Sequence, residues 1–307
     1  MGFSIRGCAD KGSALSIAEP VDRAKGRVWA HKLGPLRGIP KLPTTILVVA
    51  VFFALWGSSV TPYSPVAIDL RHAEIPPVLV KGGVWDHPLG TDRKGRDVLS
   101  RIIVGTRYSL SVASVSILIG GMFGTALGVI AGYQGGGVDA VIMRSVDAML
   151  AFPAVMVSLI LAAATRPGYW VVIVTLVLLV WPRFARLVRG EILSLRERDF
   201  VALARVAGAS PPYIIRRHLL PNILNTIVVL ATLQIGWAII IEASLSFLGL
   251  GIPPPTPTWG NIIAEDRTYV TTVWWTSVFG GLALALVGLS VNFFGDWLRD
   301  VLDPKLR

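Results

Sequence analysis

Charged residues vanish from this sequence for long stretches and return in clusters, and the lengths of those gaps carry its strongest structural signal. A bilayer core of about 30 Å takes about 20 apolar residues in a helix, so each gap can be measured against a membrane. Residues 42–68 hold no Asp, Glu, Lys or Arg, with their apolar part at 44–60. Residues 108–138 are uncharged, as are 148–165 and 167–182. From His218 the chain is uncharged to Ile241, Glu242 interrupts, and the next charge is Glu265; residues 268–295 make the last gap. The pattern predicts six transmembrane helices, near 43–60, 109–133, 147–165, 169–188, 222–248 and 273–297. Barrel strands need only 9–11 alternating residues, and these gaps are far longer and do not alternate.

Composition agrees. Only 16% of the 307 residues are charged and 53% are hydrophobic, with a mean hydropathy of +0.64. A soluble domain carries about a quarter charged residues, and disorder demands low hydropathy with high charge, so both are excluded. The single cysteine, Cys8, permits no internal disulfide, and four scattered histidines suggest no metal cluster.

The placement of the +10 net charge decides what it is for. Arg6, Lys11, Arg23, Lys25, Arg27, Lys32, Arg37 and Lys41 precede the first span. Arg183, Arg186, Arg189, Arg196, Arg198, Arg205, Arg216 and Arg217 fill the fourth connection. With Arg144, Arg299, Lys305 and Arg307 these make 20 of 29 basic residues on one side, so both termini are expected in the cytoplasm. The loop 61–107 is the contrary element, although Asp69, Glu74, Asp86, Asp92 and Asp97 accompany its basic residues. Nucleic acid is not needed to explain the charge. Residues 1–42 lack the apolar stretch of a cleavable signal peptide, so the first helix is expected to act as its own insertion signal. Around Val28–Leu36 this segment either lies on the membrane surface, with Trp29 at headgroup depth, or is a solvated basic tail.

Several features carry mechanism. Gly120, Gly124, Gly128 and Gly132 fall four apart on one helix face, a spacing that lets helix backbones approach in lipid. Packing inside the chain is the favoured reading, and a subunit or gating interface the sharper one. In 189–221, Asp199 is expected to cap a helix over 200–207 that Gly208 stops in a left-handed turn. Ser210 and Pro211 would open a second helix, ended by Pro221 before the fifth span. Val201, Leu203 and Val206 would be exposed among arginines, as a docking surface requires. Glu242 is the one acid well inside an expected span. It either faces a translocation path or is held by an ion pair or hydrogen bond.

At this point the residues resemble a known family. Arg198-Asp-Phe-Val-Ala-Leu-Ala-Arg-Val-Ala-Gly-Ala-Ser210, followed by His218-Leu-Leu-Pro-Asn222, is similar to the cytoplasmic EAA motif of binding-protein-dependent ABC importer permeases. The matching positions are Ala204, Gly208 and Leu220-Pro221. His87-Pro-Leu-Gly-Thr-Asp92, Gly95-Arg-Asp97, Glu242-Ala-Ser-Leu-Ser-Phe-Leu-Gly-Leu-Gly251, Pro255-Thr-Pro-Thr-Trp-Gly-Asn261, Gly295-Asp-Trp-Leu-Arg-Asp300 and Asp303-Pro-Lys-Leu-Arg307 look like the "C" permease subunit of the dipeptide, oligopeptide and nickel branch. The resemblance spans about residues 40–307. It implies an all-α type I ABC importer permease fold in a bacterial inner membrane. Residues 1–42 would be a cytoplasmic segment, 43–107 the first span with an outward loop, 108–298 a five-helix core and 299–307 a cytoplasmic tail.

The resemblance also implies partners: a homologous second permease subunit, two ATPase subunits that bind ATP and Mg, and an extracytoplasmic substrate-binding protein. Residues 200–207 would be the coupling helix against an ATPase, with Asp199, Val201, Ala202, Leu203, Ala204, Arg205, Gly208, Ala209 and Pro221 its key positions. The family Glu is replaced by Ala202, which would cost a capping box if Asp199 is the cap. Asp92, Arg96, Asp97 and Trp259 would meet the binding protein, with a salt-bridge role in the loop as the alternative for the first three. The chain holds no Gly-x-Ser-x-Gly, His-Glu-x-x-His or Walker A sequence, so no catalytic residue, metal or cofactor of its own is expected. An ion-coupled secondary transporter is the competing class, and would show internal repeats and several intramembrane charges.

Overall fold

The structure is a computed structural model that describes residues 38–302. Apart from Gly38 these belong to one compact unit, Ile39–Arg307. The basic leader with Trp29, and Lys305 and Arg307 of the tail, lie outside the described residues. Among the described residues all regular structure is helical, apart from an isolated bridge between Thr91 and Asp97.

Five helices are long and apolar enough to cross a bilayer. They are α1 (Lys41–Val60), α2 (Val98–Gln134), α5 (Tyr169–Arg196), α8 (Leu220–Phe247) and α10 (Trp274–Leu302). The expected third span is not one helix. It is split into α3 (Gly136–Ala151) and α4 (Ala154–Ala164), bent by 90°. The cause is Pro153, which drives the preceding residue from helical to extended backbone; Phe152 sits at φ −81° and ψ 128°. The eleven residues of α4 span only about 16 Å, so the two halves cross together or not at all.

Helix ends also overrun the uncharged gaps. The second helix begins at Val98, where Asp97 accepts a hydrogen bond from the Ser100 amide at 2.8 Å. An N-cap of this kind satisfies a helix start even where charges such as Arg101 follow. The fifth span was expected to begin after a stop at Pro221. Instead α7 (Pro211–Ile214) continues through a π-helical turn, Ile215–Leu219, into α8, so Pro211–Phe247 forms one rod. Pro221 directly follows the π-helical turn, and it removes one backbone hydrogen bond from the rod without ending it.

The most extensive packing seam joins α2 to α5. A Cβ added at Gly124 would lie 2.2 Å from the Trp181 carbonyl oxygen, and one at Gly128 2.6 Å from that of Ala185. Gly120 faces Val180, and Gly132 faces Ile192. The small-residue stripe is thus turned into the chain's own core, where Val112, Ile117, Leu176, Val180 and Phe184 are buried. A second close crossing brings Gly236 of α8 against Asn292 and Gly288 of α10. By contrast Val48, Val51, Phe52, Leu55 and Trp56 of α1 are exposed, as a lipid-facing helix requires.

Candidate functional site

The candidate residues fall into three groups, at the two ends of the helical core and within it. At the first, α6 (Asp199–Val206) stands alone between α5 and α7. Its cap is Arg198 with extended backbone and no side-chain cap bond, so Asp199 is the first helical residue instead of the cap. The capping-box argument for Ala202 therefore falls: that residue sits one position beyond the one that could close such a box. The C-terminal end is as expected for a left-handed stop. Gly208 has φ +80°, the Gly208 amide donates to Arg205 at 3.0 Å, and the Ala209 amide donates to Ala204 at 3.0 Å. This pair of bonds is the Schellman closure.

The faces of α6 are unequal. Val201 is fully buried, against the expectation that it would be exposed, and packs in a cluster with Ile192, Ile214, Leu219 and Ile223. Phe200, Ala204 and Ala209 support it. On the other face Leu203 is 69% exposed and Val206 87%, with Asp199, Ala202, Arg205 and Gly208 beside them. The helix is rooted in the core by one face and offers an apolar, basic surface on the other.

At the opposite end, the loop between α1 and α2 folds back over α9 (Trp259–Glu265). Asp92, Arg96, Asp97 and Trp259 are all buried here and cannot touch another protein, so the contact role expected for them is corrected. Asp92 binds the Arg96 side chain at 2.6 Å and Arg101 at 2.5 Å, and both arginines also reach Glu265. Asp97 caps α2 and pairs with His87 at 3.0 Å. The Trp259 ring N–H donates to the Ile102 carbonyl at 3.3 Å, and that of Trp275 donates to the Thr91 carbonyl at 2.9 Å.

Two arginines facing two or three carboxylates make this a buried ionic clamp. Burial alone would raise the Glu265 carboxyl, but Arg101 and Arg96 overcome it and hold the group below its ordinary value. Burial pushes Asp266 up, and the neighbouring Asp92 adds to that. Sequence reading missed Arg101 and Glu265 as members, because their separation along the chain hides a contact that only the loop's return creates. It also missed the exposed rim, where Leu70, Leu79 and Trp85 project.

Glu242 is 0% exposed, inside α8. Its carboxylate accepts from Ser246 at 2.8 Å and Ser109 at 3.1 Å. The hydrogen-bonded alternative is the one found, and no open path reaches the side chain. Among the described residues no group of three His, Cys, Asp or Glu is placed to hold a metal ion.

Comparison with known proteins completes the description. Residues 124–307 match the family "Binding-protein-dependent transport system inner membrane component". A protein of Brucella suis biovar 1 (strain 1330), named as a peptide permease, is 41% identical over 86% of this chain and 85% of its own. DdpC of Escherichia coli (strain K12), named for a D,D-dipeptide transport system, is 37% identical over 91% of this chain and 90% of its own. The MetNI methionine ABC transporter, solved facing inward, shares the fold at TM-score 0.58 with 20% identity, over 67% of this chain and 97% of that one.

Proposed function

The chain belongs to the binding-protein-dependent transport system inner membrane components, the permease subunits of ABC importers, and we propose that it forms half of a translocation path for peptides or similar small solutes. It is a multi-pass protein of the inner membrane. The finer reading gives it a homologous second permease subunit, two ATPase subunits that bind ATP and Mg, and a soluble substrate-binding protein on the outer face. Both termini and α6 face the cytoplasm, and the chain itself hydrolyses nothing. The names of the Brucella and Escherichia coli relatives support peptides as the substrate class.

The observation that carries the reading is the two-faced α6. A solvated helix has little use for Leu203 and Val206 at its surface, whereas an ATPase groove would bury both. ATP binding would close the ATPase pair against α6 and shift the helices between inward-open and outward-open states, each nucleotide state favouring one arrangement.

The test is uptake by the purified complex in proteoliposomes. Leu203→Asp should lower substrate-stimulated ATP hydrolysis at least tenfold and release the ATPase subunits during purification. Ala202→Glu, exposed and outside any capping box, should change hydrolysis less than twofold. Uptake driven by an ion gradient without ATP would replace this reading with the secondary-transporter one.

A further inference from the structure

Of the four arginines along α5, at 183, 186, 189 and 196, all but Arg183 pair with a carboxylate of the chain. Arg189 grips Asp139 through two bonds of 2.5 and 2.6 Å, and Arg186 pairs with Asp147. Arg183 has no carboxylate in ion-pair reach among the described residues. Its Nη1 donates to Gln234 Oε1 at 3.1 Å, and its guanidinium carbon lies 3.8 Å from the centre of the Trp237 ring. Gln234 is only 7% exposed, and its amide nitrogen has no partner among the described residues.

The depth of this group sets it apart from the basic cluster to which the sequence reading assigned Arg183. It lies about 21 Å along α5 from Tyr169, and Gln234 stands about midway along α8. Unpaired charge at such depth is costly and is found facing protein interior or a water-filled cavity. Arg183 is only half-buried within the chain, which leaves room for a group from outside it.

We propose that Arg183, held by Trp237 and Gln234, is a station on the translocation path that binds the free carboxylate of a peptide in transit. The inference rests on the reading of the chain as a peptide permease. A path that passes peptides of varied side chains can rely only on groups that all of them carry. The C-terminal carboxylate is one such group, and the planar guanidinium fork matches it. The Trp237 ring holds the guanidinium by a cation–π contact. The bond to the Gln234 oxygen fixes the guanidinium from one side, so the fork itself supplies the donors. No resident carboxylate competes, so an arriving one finds donors, and a single binding group is weak enough to release it.

The experiment uses the complete complex in proteoliposomes with its binding protein, supplied with an equimolar mixture of di- to pentapeptides as free acids and as C-terminal carboxamides. Internal peptide is read by mass spectrometry and normalised to the amount of each held by the binding protein. Wild type should favour free acids at least tenfold. Arg183→Gln should remove that preference while binding-protein-stimulated ATP hydrolysis stays within twofold, and Arg183→Lys should restore part of it. A preference unchanged in Arg183→Gln overturns the proposal, as does a parallel fall in ATP hydrolysis and in uptake of acids and carboxamides alike. Should Arg183→Gln fail to assemble, Gln234→Ala decides: it should weaken the acid preference, and a preference equal to wild type in it, or none in wild type, overturns the proposal. No uptake of any peptide by the wild-type complex would overturn the peptide reading itself, whereas uptake indifferent to the carboxylate overturns the station alone.

Discussion

Gly124 is the tightest point of the seam between α2 and α5, and it differs in kind from Gly208. An added methyl at Gly124 meets the backbone oxygen of Trp181 at 2.2 Å, which no rotamer change can relieve. At Gly208 nothing lies within 4 Å, and only the positive φ resists a side chain. Gly124→Ala should therefore cost about 1–3 kcal/mol by overpacking, and Gly208→Ala about 1–2 kcal/mol by backbone strain. Melting of the purified complex would rank the two, and uptake should suffer most from Gly208→Ala relative to its stability loss, since that residue sets the surface of α6. Glu242 offers a related contrast. Glu242→Gln should keep an oxygen for one of the Ser246 and Ser109 hydroxyls, let the other accept from its amide N–H, and leave uptake at the wild-type level. Glu242→Leu strands both hydroxyls, at about 1–3 kcal/mol each, and should be seen as a lower melting temperature.

Among elements, the ionic clamp and α9 give the clearest pH signature. The Glu265 carboxyl is held low in the fold, so its contribution is complete above the unfolded value of about 4.3 and is lost as pH falls through the lower folded value. Asp266 is raised, so its cost builds as pH climbs from about 4 through the folded value. Glu265→Gln should destabilise the protein at pH 7 by about 3 kcal/mol, because Arg101 is left buried with less charge compensation. Asp266→Asn should raise the melting temperature at pH 7, an advantage that disappears below pH 4. Melting curves at both pH values check the pair. How far these elements could be read from sequence follows from the same physics. Uncharged gaps locate five spans, because hydrocarbon demands them of any sequence. They miss the first turns of α2, where the Asp97 cap admits charged residues into the helix, and they misread 147–165, where Pro153 outweighs apolarity. The turn that ends α6 was legible through Gly208, a residue type with a conformational reason. The face of Val201 was not, since eight residues carry too little periodicity to show which side the core lies on. The partners of Asp92 were hidden as well, being residues that only the folded loop brings together.

For the whole molecule, the proposed orientation would put α6 and the loop between α1 and α2 on opposite sides of the membrane. Starting from a Cys8→Ser background, Leu203→Cys should react with an impermeant maleimide only in inside-out vesicles, and Trp85→Cys only in cells or right-side-out vesicles. Both labels appearing on one side would reverse the topology. The rod Pro211–Phe247 joins those sides without a joint. It is about 55 Å long, and it comes close against α10 at Gly236, about two-thirds of the way along from Pro211. A rod that pivots there is a lever with unequal arms of about 37 Å and about 16 Å. A stroke of about 4 Å at Ile214 would then emerge beside Phe247 as about 2 Å in the reverse sense. Pivoting so, the rod would gear a long stroke at the α6 end down to a short, forceful one at the α9 end.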